Sequence, residues 1–310
     1  MSGYTVYAIA GLGRIGLNLA QEFLAMKVKD PRLAYSVRAL TTQSTSDAIE
    51  DLAVNGANVR TVSYESPASI LAALDGVDVL MSCIGYEDGG LHAQMILGDL
   101  AKAAGVKLVV PSEYGAQSDA VKDENFTIKE VFRKRLIANG LKYAVFYTGF
   151  WSDFVLRPFI LRDMFQIDLE KGNIHKWIDW DTPLSFTTQM DIARYVTHVL
   201  VYLPRSELEN RIFRIQADSQ TLNSLFVAFL EKTSRPPLAN MKTTTHSRAE
   251  LDEKLDKEPL LIGLRLFRAA DDEMFSVSAD GKLDSAIWPE WKPERTVDVM
   301  IRSFVAAKDL

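Results

Sequence analysis

The sequence predicts an α/β protein in which helices cover both faces of a parallel β-sheet, followed by a smaller mixed region. Three observations support this fold class. Short strand signals alternate with amphipathic helix signals up to about residue 150. The strands are almost continuously apolar, which is expected when a parallel sheet is buried on both faces. A glycine-rich turn, "GLGRIG", follows the first strand and opens the first helix.

The strand signals are runs rich in β-branched and aromatic residues. They predict six strands, at residues 4–10, 33–40, 58–64, 77–85, 107–115 and 141–150. Apolar residues spaced by three and four predict the helices between them. The first helix carries Ile15, Leu19, Phe23 and Met26 on one face, and later helices are predicted near residues 46–54, 66–76, 92–104 and 123–140. Right-handed crossovers between these strands give a doubly wound sheet.

The pattern changes after residue 150. Tryptophans cluster there and prolines interrupt the periodicity, although residues 190–200 and 221–232 still predict helices. We therefore expect one domain over residues 1–155 and a smaller mixed α/β region over 156–310. A segment at about 186–203 is expected to return and pack on the first domain.

Composition and charge narrow the function class. The chain has 310 residues, of which 47% are hydrophobic and 25% charged, and its formal net charge is −6. This is the composition of a globular protein. Nothing in it indicates the basic face that nucleic-acid binding needs. Composition does not distinguish a monomer from a homodimer.

Cysteine usage and hydropathy indicate an ordinary reducing compartment. Cys83 is the single cysteine, which excludes an internal disulfide, and four scattered histidines do not form the ligand spacing of a zinc site. We expect no metal. The N-terminus has no basic leader, and no apolar run reaches the length of about 18 residues that a spanning helix needs. We therefore expect a cytoplasmic protein without membrane association.

The glycine-rich turn carries the first functional motif. Gly11, Gly13 and Gly16 form G-x-G-x-x-G between a predicted strand and a predicted helix. In a dinucleotide-binding Rossmann unit these glycines permit the turn, the approach of a pyrophosphate and close helix–strand packing. The helix start, with Arg14 and Ile15, would then offer N–H groups and positive potential to phosphates. A glycine-rich turn without a ligand is the alternative, and its place in the βαβ series favours the dinucleotide.

The second strand bears on the choice of cofactor. NAD-preferring sites place Asp or Glu at the end of this strand, where this sequence has no acid and instead carries Arg38 and Thr41. An arginine can pair with the 2′-phosphate of NADP. We therefore predict NADP(H) as the cofactor. The alternative is that Arg38 is a surface residue.

The exits of two further strands are expected to border the same ligand, because ligands lie beyond the carboxyl ends of parallel strands. Cys83, Ile84 and Gly85 leave the fourth strand, and Thr148 and Phe150 end the sixth. Cys83 is predicted to act there as a small buried side chain.

A common catalytic pattern of this architecture is absent from the sequence. No tyrosine is followed by lysine four residues later, and there is no G-x-S-x-G, H-E-x-x-H or P-loop. A Tyr/Lys proton relay is therefore not expected.

Five stretches carry a resemblance to a known family. They are "AGLGRIG", "SVRALT", "DVLMSCIG", "VVPSEYG" and the Lys-x-x-x-Arg of "IKEVFRKRLIANGLKYAVFYTGFW". In order and spacing the chain resembles the NmrA-like, atypical short-chain dehydrogenase/reductase family, and within it the isoflavone reductase and phenylcoumaran benzylic ether reductase group, particularly its fungal relatives. The resemblance is clear over about residues 4–155, fainter through "PLSFTTQMDIARYVTHVL" and weak after 205. One departure is Ala10, where the family usually has a further glycine.

The resemblance implies an active-site lysine at Lys129. On a helical wheel Ile128, Val131, Phe132 and Leu136 define a buried stripe, and Lys129 lies at its edge. A lysine partly removed from water has a lowered pKa and can serve as a proton donor or acceptor. From periodicity alone a solvated helix lysine is the alternative. The Arg133 side chain is expected to be structural or phosphate-facing.

The "PSEYG" stretch and the aromatic residues complete the predicted site. The resemblance implies that this loop, with Pro111, lines the nicotinamide end of the cofactor. Ser112 and Glu113 are candidates to bond the ribose or a substrate, and Tyr114 to stack on the substrate or donate its hydroxyl. Ordinary turn chemistry is the alternative. Trp151, Trp177 and Trp180 are candidates for an aromatic pocket wall, with core packing as the alternative.

The sequence thus predicts an NADPH-dependent reductase that transfers hydride to a small, aromatic, unsaturated or electrophilic substrate, with a setting in secondary metabolism implied by the resemblance. Residues 1–155 would bind the cofactor and 156–310 mainly the substrate. Two alternatives stay open. One is a dinucleotide-sensing regulatory protein without turnover, and the other is an isomerase or cyclase that uses the cofactor without net redox change.

Overall fold

The structure is a computed structural model that describes residues 1–43, 46–85, 90–119, 124–278 and 281–307. Part of the turn after the second predicted strand, part of the loop after the fourth, and the first residue of the predicted helix 123–140 lie outside the described residues.

Strands occur in both halves of the chain. Their bounds are β1 Val6–Ala10, β2 Ser36–Thr41, β3 Asn58–Thr61, β4 Val79–Ser82, β5 Leu108–Val110, β6 Lys142–Tyr147, β7 Phe150–Trp151, β8 Ile167–Asp168, β9 Asn173–Lys176, β10 Leu184–Thr187, β11 Arg211–Arg214, β12 Asp218–Gln220 and β13 Lys242–Thr245.

Helices separate most of these strands. Their bounds are α1 Arg14–Lys29, α2 Asp47–Val54, α3 Pro67–Leu74, α4 Gly90–Ala103, α5 Glu124–Ala138, α6 Ser152–Val155, α7 Pro158–Phe165, α8 Gln189–Tyr202, α9 Arg205–Leu208, α10 Leu222–Lys232, α11 Arg248–Lys257, α12 Ile262–Asp271 and α13 Thr296–Ala306.

The main sheet has seven strands in the order β11-β6-β5-β4-β1-β2-β3. Every neighbouring pair from β3 through β6 is parallel. The strand order reverses on either side of β1, between β4 and β2, which creates the point where α/β proteins bind ligands. The predicted fold class, a doubly wound parallel sheet with smaller mixed sheets, is confirmed.

The core of the sheet follows from the apolar strands and helix faces. The predicted face of α1 is buried: Ile15 and Met26 are nearly inaccessible, and Leu19 and Phe23 are completely so. Leu40, Leu80 and Val109, from three different strands, meet Leu97 of α4 in one hydrophobic cluster. These contacts hold the sheet and its helices as one layered unit.

Two differences from the sequence predictions concern the main sheet and its last predicted strand. The seventh strand, β11, was not predicted, because its four residues, "RIFR", give too short an apolar signal. The predicted strand 141–150 is divided into β6 and β7 around Gly149, whose φ of +70° breaks an extended run.

The buried face of α5 also differs from the predicted stripe. Phe132 and Leu136 are buried as expected, and Ile128 is half-buried, but Val131 is 50% exposed. Arg133 is buried in its place. The prediction for Val131 was wrong because the buried stripe of α5 is shifted around the helix toward Arg133, whose charge is paired with buried Glu113.

The chain divides into two compact units. The first contains Met1–Tyr114, Glu124–Phe146 and Ile192–Phe213, and the second contains Gly115–Asp123, Tyr147–Asp191 and Arg214–Leu310. The first unit holds nearly all of the seven-stranded sheet. The second holds the two three-stranded sheets, β12-β10-β7 and β13-β9-β8.

A buried carboxylate fastens the amino ends of three strands in the first unit. Asp78, just before β4, accepts hydrogen bonds from the Thr5 amide at 2.7 Å, the Thr5 hydroxyl at 2.9 Å and the Val6 amide at 3.2 Å. Lys107, just before β5, donates to its other oxygen. Burial alone would raise the pKa of Asp78, but these hydrogen bonds outweigh it and lower the pKa to about 2.

We predict that Asp78 stabilises the fold above pH 4 and loses this contribution in acid. Because its pKa falls from about 3.9 in the unfolded chain to about 2 in the folded one, the carboxylate contributes about 2 kcal/mol that disappears as the pH falls through this window. Asp78→Asn should lower the free energy of unfolding at pH 7 by about that amount, measured in urea. Asp51→Asn, at an exposed position of α2, is the control. Equal stability of Asp78→Asn and the parent protein would contradict the prediction.

Candidate functional site

A groove of about 270 Å³ lies in the first unit, where β1 and β2 end. The glycine-rich turn forms one wall, and the segment from the end of β2 into α2 forms another. The lining residues are Gly11, Leu12, Gly13, Leu17, Leu40, Thr41, Thr42, Gln43, Ser46, Ala48, Ile49, Tyr64 and Ile84. This is the position that the strand order marks for ligand binding.

The three glycine positions of the turn differ in whether the fold could accept a side chain there. Gly11 has φ +91°, and a Cβ there would lie 3.0 Å from the Cys83 backbone. A Cβ on Gly16 would lie 1.9 Å from the Gly11 carbonyl oxygen, so helix α1 can pack against the turn only without a side chain there. Gly13 has an ordinary φ of −74°, and its Cβ would meet no atom within 4 Å. The fold therefore requires glycine at 11 and 16 but not at 13.

The start of α1 has no side-chain cap. Its N-cap residue is Gly13, and no acidic residue stands in its first turn. By contrast, Ser46 caps α2 and Ser66 caps α3 through their hydroxyls. The first amides of a helix have no partner within the helix, and their partial positive charge attracts anions. The N-terminus of α1 is therefore suited to hold a phosphate.

These two features together fit a pyrophosphate. A Cβ on Gly13 would meet no atom within 4 Å, Gly13 lines the groove, and helix α1 begins directly after it without a side-chain cap. A glycine that the fold itself does not need is explained by a ligand that approaches the backbone closely. Arg14 is exposed and adds a positive charge beside the turn.

Arg38 does not reach this groove. Its Nη1 donates to the carbonyl oxygens of Ala73 at 2.7 Å and Asp75 at 2.8 Å, at the C-terminal end of α3. A crossover helix ends at the edge of the sheet where the next strand begins, which is opposite to the groove. The structure does not support the predicted pairing of Arg38 with a 2′-phosphate, because the guanidinium is already bound as a helix C-cap. Thr41, by contrast, lines the groove.

The exit of β4 packs against the exit of β5. The Cys83 thiol donates to the Tyr114 hydroxyl at 3.9 Å, and burial raises the pKa of Cys83 to about 12. Ile84 lines the groove and Gly85 is exposed. Tyr114 is only 4% exposed, so the structure places this predicted substrate residue against Cys83 in the interior.

A charged cluster joins the β5 exit to α5. Glu113 is fully buried, and its two carboxylate oxygens lie 3.2 and 3.4 Å from Nη1 of Arg133, which is 6% exposed. Lys129 lies one helical turn before Arg133 and is half-buried. Burial lowers the pKa of Lys129, and the charge of Glu113 opposes this shift. Pro111 and Ser112 directly precede Glu113 in the sequence; Pro111 is buried and Ser112 is half-buried.

The second unit holds the other predicted residues. Thr148 is fully buried, and its carbonyl accepts the Thr187 hydroxyl at 2.9 Å. Phe150 stacks on Phe275 with ring centroids 3.8 Å apart. Trp151 is half-buried in β7. Phe150 also faces a wholly apolar cavity of about 20 Å³, which has room for little more than one water molecule.

Trp177 and Trp180 are core residues of the second unit. Trp177 is 6% exposed, donates to Gln166 at 3.0 Å and stacks on His246. Trp180 is 2% exposed and packs edge-on against Phe226. Neither lines the apolar cavity, so the core-packing alternative describes them better than a pocket wall.

Several residues that line the groove were not predicted from the sequence. Thr42, Gln43 and Ser46 follow β2, and Tyr64 follows β3. Their positions just beyond strand ends were the available signal, but no residue type there is diagnostic by itself.

Among the described residues no cluster of three potential metal ligands occurs, and no helix there is long and apolar enough to cross a membrane.

The fold and the groove thus define a Rossmann-type protein with a glycine-rich turn at the switch point of its sheet. The sequence model of the NmrA-like family matches residues 4–243. Because this match covers well over half of the chain, the chain belongs to the NmrA-like family, and the predicted family is confirmed.

Individual relatives span almost the whole chain. Phenylcoumaran benzylic ether reductase PT1 of Pinus taeda is 23% identical over 312 residues, which cover 97% of this chain and 98% of that protein. The NADPH complex of leucoanthocyanidin reductase from Vitis vinifera has a TM-score of 0.74 at 15% identity, covering 97% and 99% of the two chains. Triphenylmethane reductase of Citrobacter sp., complexed with NADP(H), has a TM-score of 0.72 at 17% identity, covering 96% and 100%. At these identities the structural likeness shows the fold.

The glycines give a paired prediction. Gly13→Ala should fold with a free energy of unfolding within about 1 kcal/mol of the parent protein, yet bind a dinucleotide at least tenfold more weakly, because the methyl group occupies the approach to the turn. Gly16→Ala should lose about 3 kcal/mol, since its methyl meets backbone. Urea unfolding and ligand titration of both variants check this. A Gly13→Ala protein with unchanged affinity would show that the ligand does not approach the turn.

The role of Arg38 gives a second prediction. Arg38→Met should lower the free energy of unfolding by about 1–2 kcal/mol, because the C-terminal carbonyls of α3 lose a charged donor. The ratio of NADPH to NADH affinity should stay the same, because the guanidinium is turned away from the groove. Arg60→Met, at an exposed position of neighbouring β3, is the control. A tenfold fall in the affinity ratio on Arg38→Met would restore the 2′-phosphate interpretation.

Proposed function

We propose that this protein is an NADPH-dependent reductase that acts on a small aromatic substrate. The observation that carries the proposal is the glycine that the fold does not need. Gly13 stands at the uncapped start of α1, beside a groove at the switch point of the sheet, and is explained by the approach of a dinucleotide pyrophosphate.

The relatives support NADP(H) as the dinucleotide. The Vitis vinifera reductase is described in complex with NADPH and the Citrobacter reductase with NADP(H). In this chain the groove offers the hydroxyls of Thr41, Thr42 and Ser46 beyond β2, and no acidic side chain among its described lining residues competes with a 2′-phosphate.

Lys129 is the proposed proton donor. The bound nicotinamide supplies the hydride, and the protein has to place the substrate and manage charge on its reacting oxygen. Lys129 lies in the first unit, half-buried, with a pKa lowered by burial. An ammonium with a lowered pKa releases its proton more readily near neutral pH, so Lys129 is suited to protonate or stabilise an oxyanion.

The aromatic character of the substrate rests on the relatives. A benzylic ether reductase and a triphenylmethane reductase are both named for substrates that carry aromatic rings. Half-buried Trp151, at the end of β7, is the candidate in this chain for stacking against such a ring. A setting in secondary metabolism belongs to the same proposal.

We predict that Lys129→Met abolishes turnover without abolishing cofactor binding. NADPH consumption should fall at least 100-fold, the magnitude of a lost general acid, while the dissociation constant for NADPH should change less than about threefold. Lys134→Met, at an exposed position of the same helix, should leave both unchanged. The measurements are fluorescence titration with NADPH, NADP⁺, NADH and NAD⁺, and a screen for NADPH consumption with aromatic ketones, ethers and alkenes.

Three results would contradict the reductase. Binding of NADPH without consumption across the screen, and with equal affinity for NADP⁺, would favour a sensor without turnover. Product formation that consumes no NADPH would favour an isomerase or cyclase. Absence of any dinucleotide binding would remove the proposal altogether.

A further inference from the structure

The buried ion pair beside Lys129 has no explanation in packing alone. Glu113 is fully buried and Arg133 is 6% exposed, and the two are held at 3.2 Å. A buried ion pair is often no more stabilising than apolar side chains of similar volume. Stability alone therefore does not explain why this pair is buried here. The pair lies next to the proposed proton donor, four residues away on α5.

The geometry gives the carboxylate a fixed position. Arg133 is in the middle of α5, and Glu113 directly follows the buried exit of β5, so neither end of the pair can swing freely. One nitrogen of Arg133 contacts both carboxylate oxygens, at 3.2 and 3.4 Å. A helix brings residues i and i+4 to the same side, so Lys129 and Arg133 share the face that meets Glu113.

We propose that Glu113 is a positioning residue for Lys129: its carboxylate, fixed by Arg133, supplies the negative charge that keeps the lysine charged and directed toward the interior. This inference rests on the proposed function for the role of Lys129 in turnover. Its electrostatic content stands on the Glu113–Arg133 ion pair, on the i, i+4 spacing of Lys129 and Arg133, and on the opposing effects of burial and Glu113 on the pKa of Lys129.

The electrostatic balance has three parts. Burial lowers the pKa of Lys129, and Glu113 opposes that shift. Arg133 neutralises part of the carboxylate charge, so Glu113 raises the pKa less than a free carboxylate would. The result is a lysine that keeps its proton in the interior but binds it less tightly than an exposed lysine does.

Further charged groups lie on α5 and on α4, which packs against it. Among the carboxylates, Glu113 is the one that shifts the pKa of Lys129. The exit of β5 also carries Tyr114, whose pKa burial raises well above its ordinary value. The exposed pairs are Lys134–Glu130 and Arg135–Asp99, and α4 further carries His92 and Lys102.

The test measures the protonation of Lys129 directly. Lysines of the full-length protein are labelled with trace acetic anhydride between pH 6 and 11, and mass spectrometry gives the midpoint of labelling at Lys129. In the parent protein this midpoint should lie below that of Lys134. Glu113→Gln removes the stabilising charge and should move it down by about one pH unit. Arg133→Gln frees the carboxylate and should move it up.

Matched controls separate positioning from folding. Asp99→Asn also removes a carboxylate that pairs with an arginine of α5, but an exposed one, and should leave the midpoint unchanged. Glu113→Asp keeps the charge and should hold the midpoint nearer to the parent value than Glu113→Gln does. Thermal unfolding identifies variants that fail to fold. If Glu113→Gln is one of them, the inference is tested by whether the labelling midpoint of Lys129 rises in Arg133→Gln.

The outcomes are distinct. A folded Glu113→Gln protein with an unchanged midpoint overturns the inference, as does an Arg133→Gln protein whose midpoint does not rise. Because labelling needs neither cofactor nor substrate, a failure of the proposed reductase function is seen separately, as absent NADPH binding or consumption. Once a substrate is found, the pH profile of turnover should shift toward acid in Glu113→Gln by the same amount as the labelling midpoint.

Discussion

The contact between Gly16 and the Gly11 carbonyl oxygen determines how α1 leaves β1. No side chain fits there, since a Cβ on Gly16 would lie 1.9 Å from that oxygen. The contact fixes the helix against the strand end, and thereby aims its uncapped N-terminus at the groove. Asp78 holds the amino ends of β1, β4 and β5 at the opposite edge of the sheet. The position of the glycine-rich turn therefore depends on two sets of contacts, one at the amino ends of the strands and one where α1 packs against the end of β1.

The cluster on α5 shows a different balance of forces. A phosphate site needs open positive potential, whereas a proton donor needs a cation that is partly removed from water. Lys129 satisfies the second condition: it is half-buried, burial lowers its pKa, and the negative charge of Glu113, which is paired with Arg133, opposes that shift. Desolvation acts on all three groups, and the hydrogen bonds of the pair offset part of that cost.

Much of the first unit was predictable because its signals are local. Apolar runs gave the strands β1 to β6, and apolar spacing gave the buried face of α1. The sequence did not reveal the direction of long polar side chains. Arg38 was predicted to bind a phosphate, but it caps the C-terminus of α3. Val131 was predicted to be buried, but it is half-exposed and Arg133 is buried instead. Both outcomes depend on partners that are distant in the chain. The position of β11 does so as well, because its four residues join the edge of the sheet beside β6 only after the chain has left the sheet and returned.

The missing cap on α1 has a thermodynamic consequence for the free protein. Helices α2, α3, α10 and α11 each satisfy first-turn amides with a Ser or Thr hydroxyl, and α1 does not. With glycine at the N-cap, the absent side-chain cap costs about a few tenths of a kcal/mol. A bound phosphate makes the same hydrogen bonds, and any ligand that binds only the folded chain adds stability in proportion to the logarithm of its concentration. The supply of dinucleotide would then set how long a molecule resists unfolding and proteolysis, so that the ligand of the site is also a determinant of the protein's lifetime.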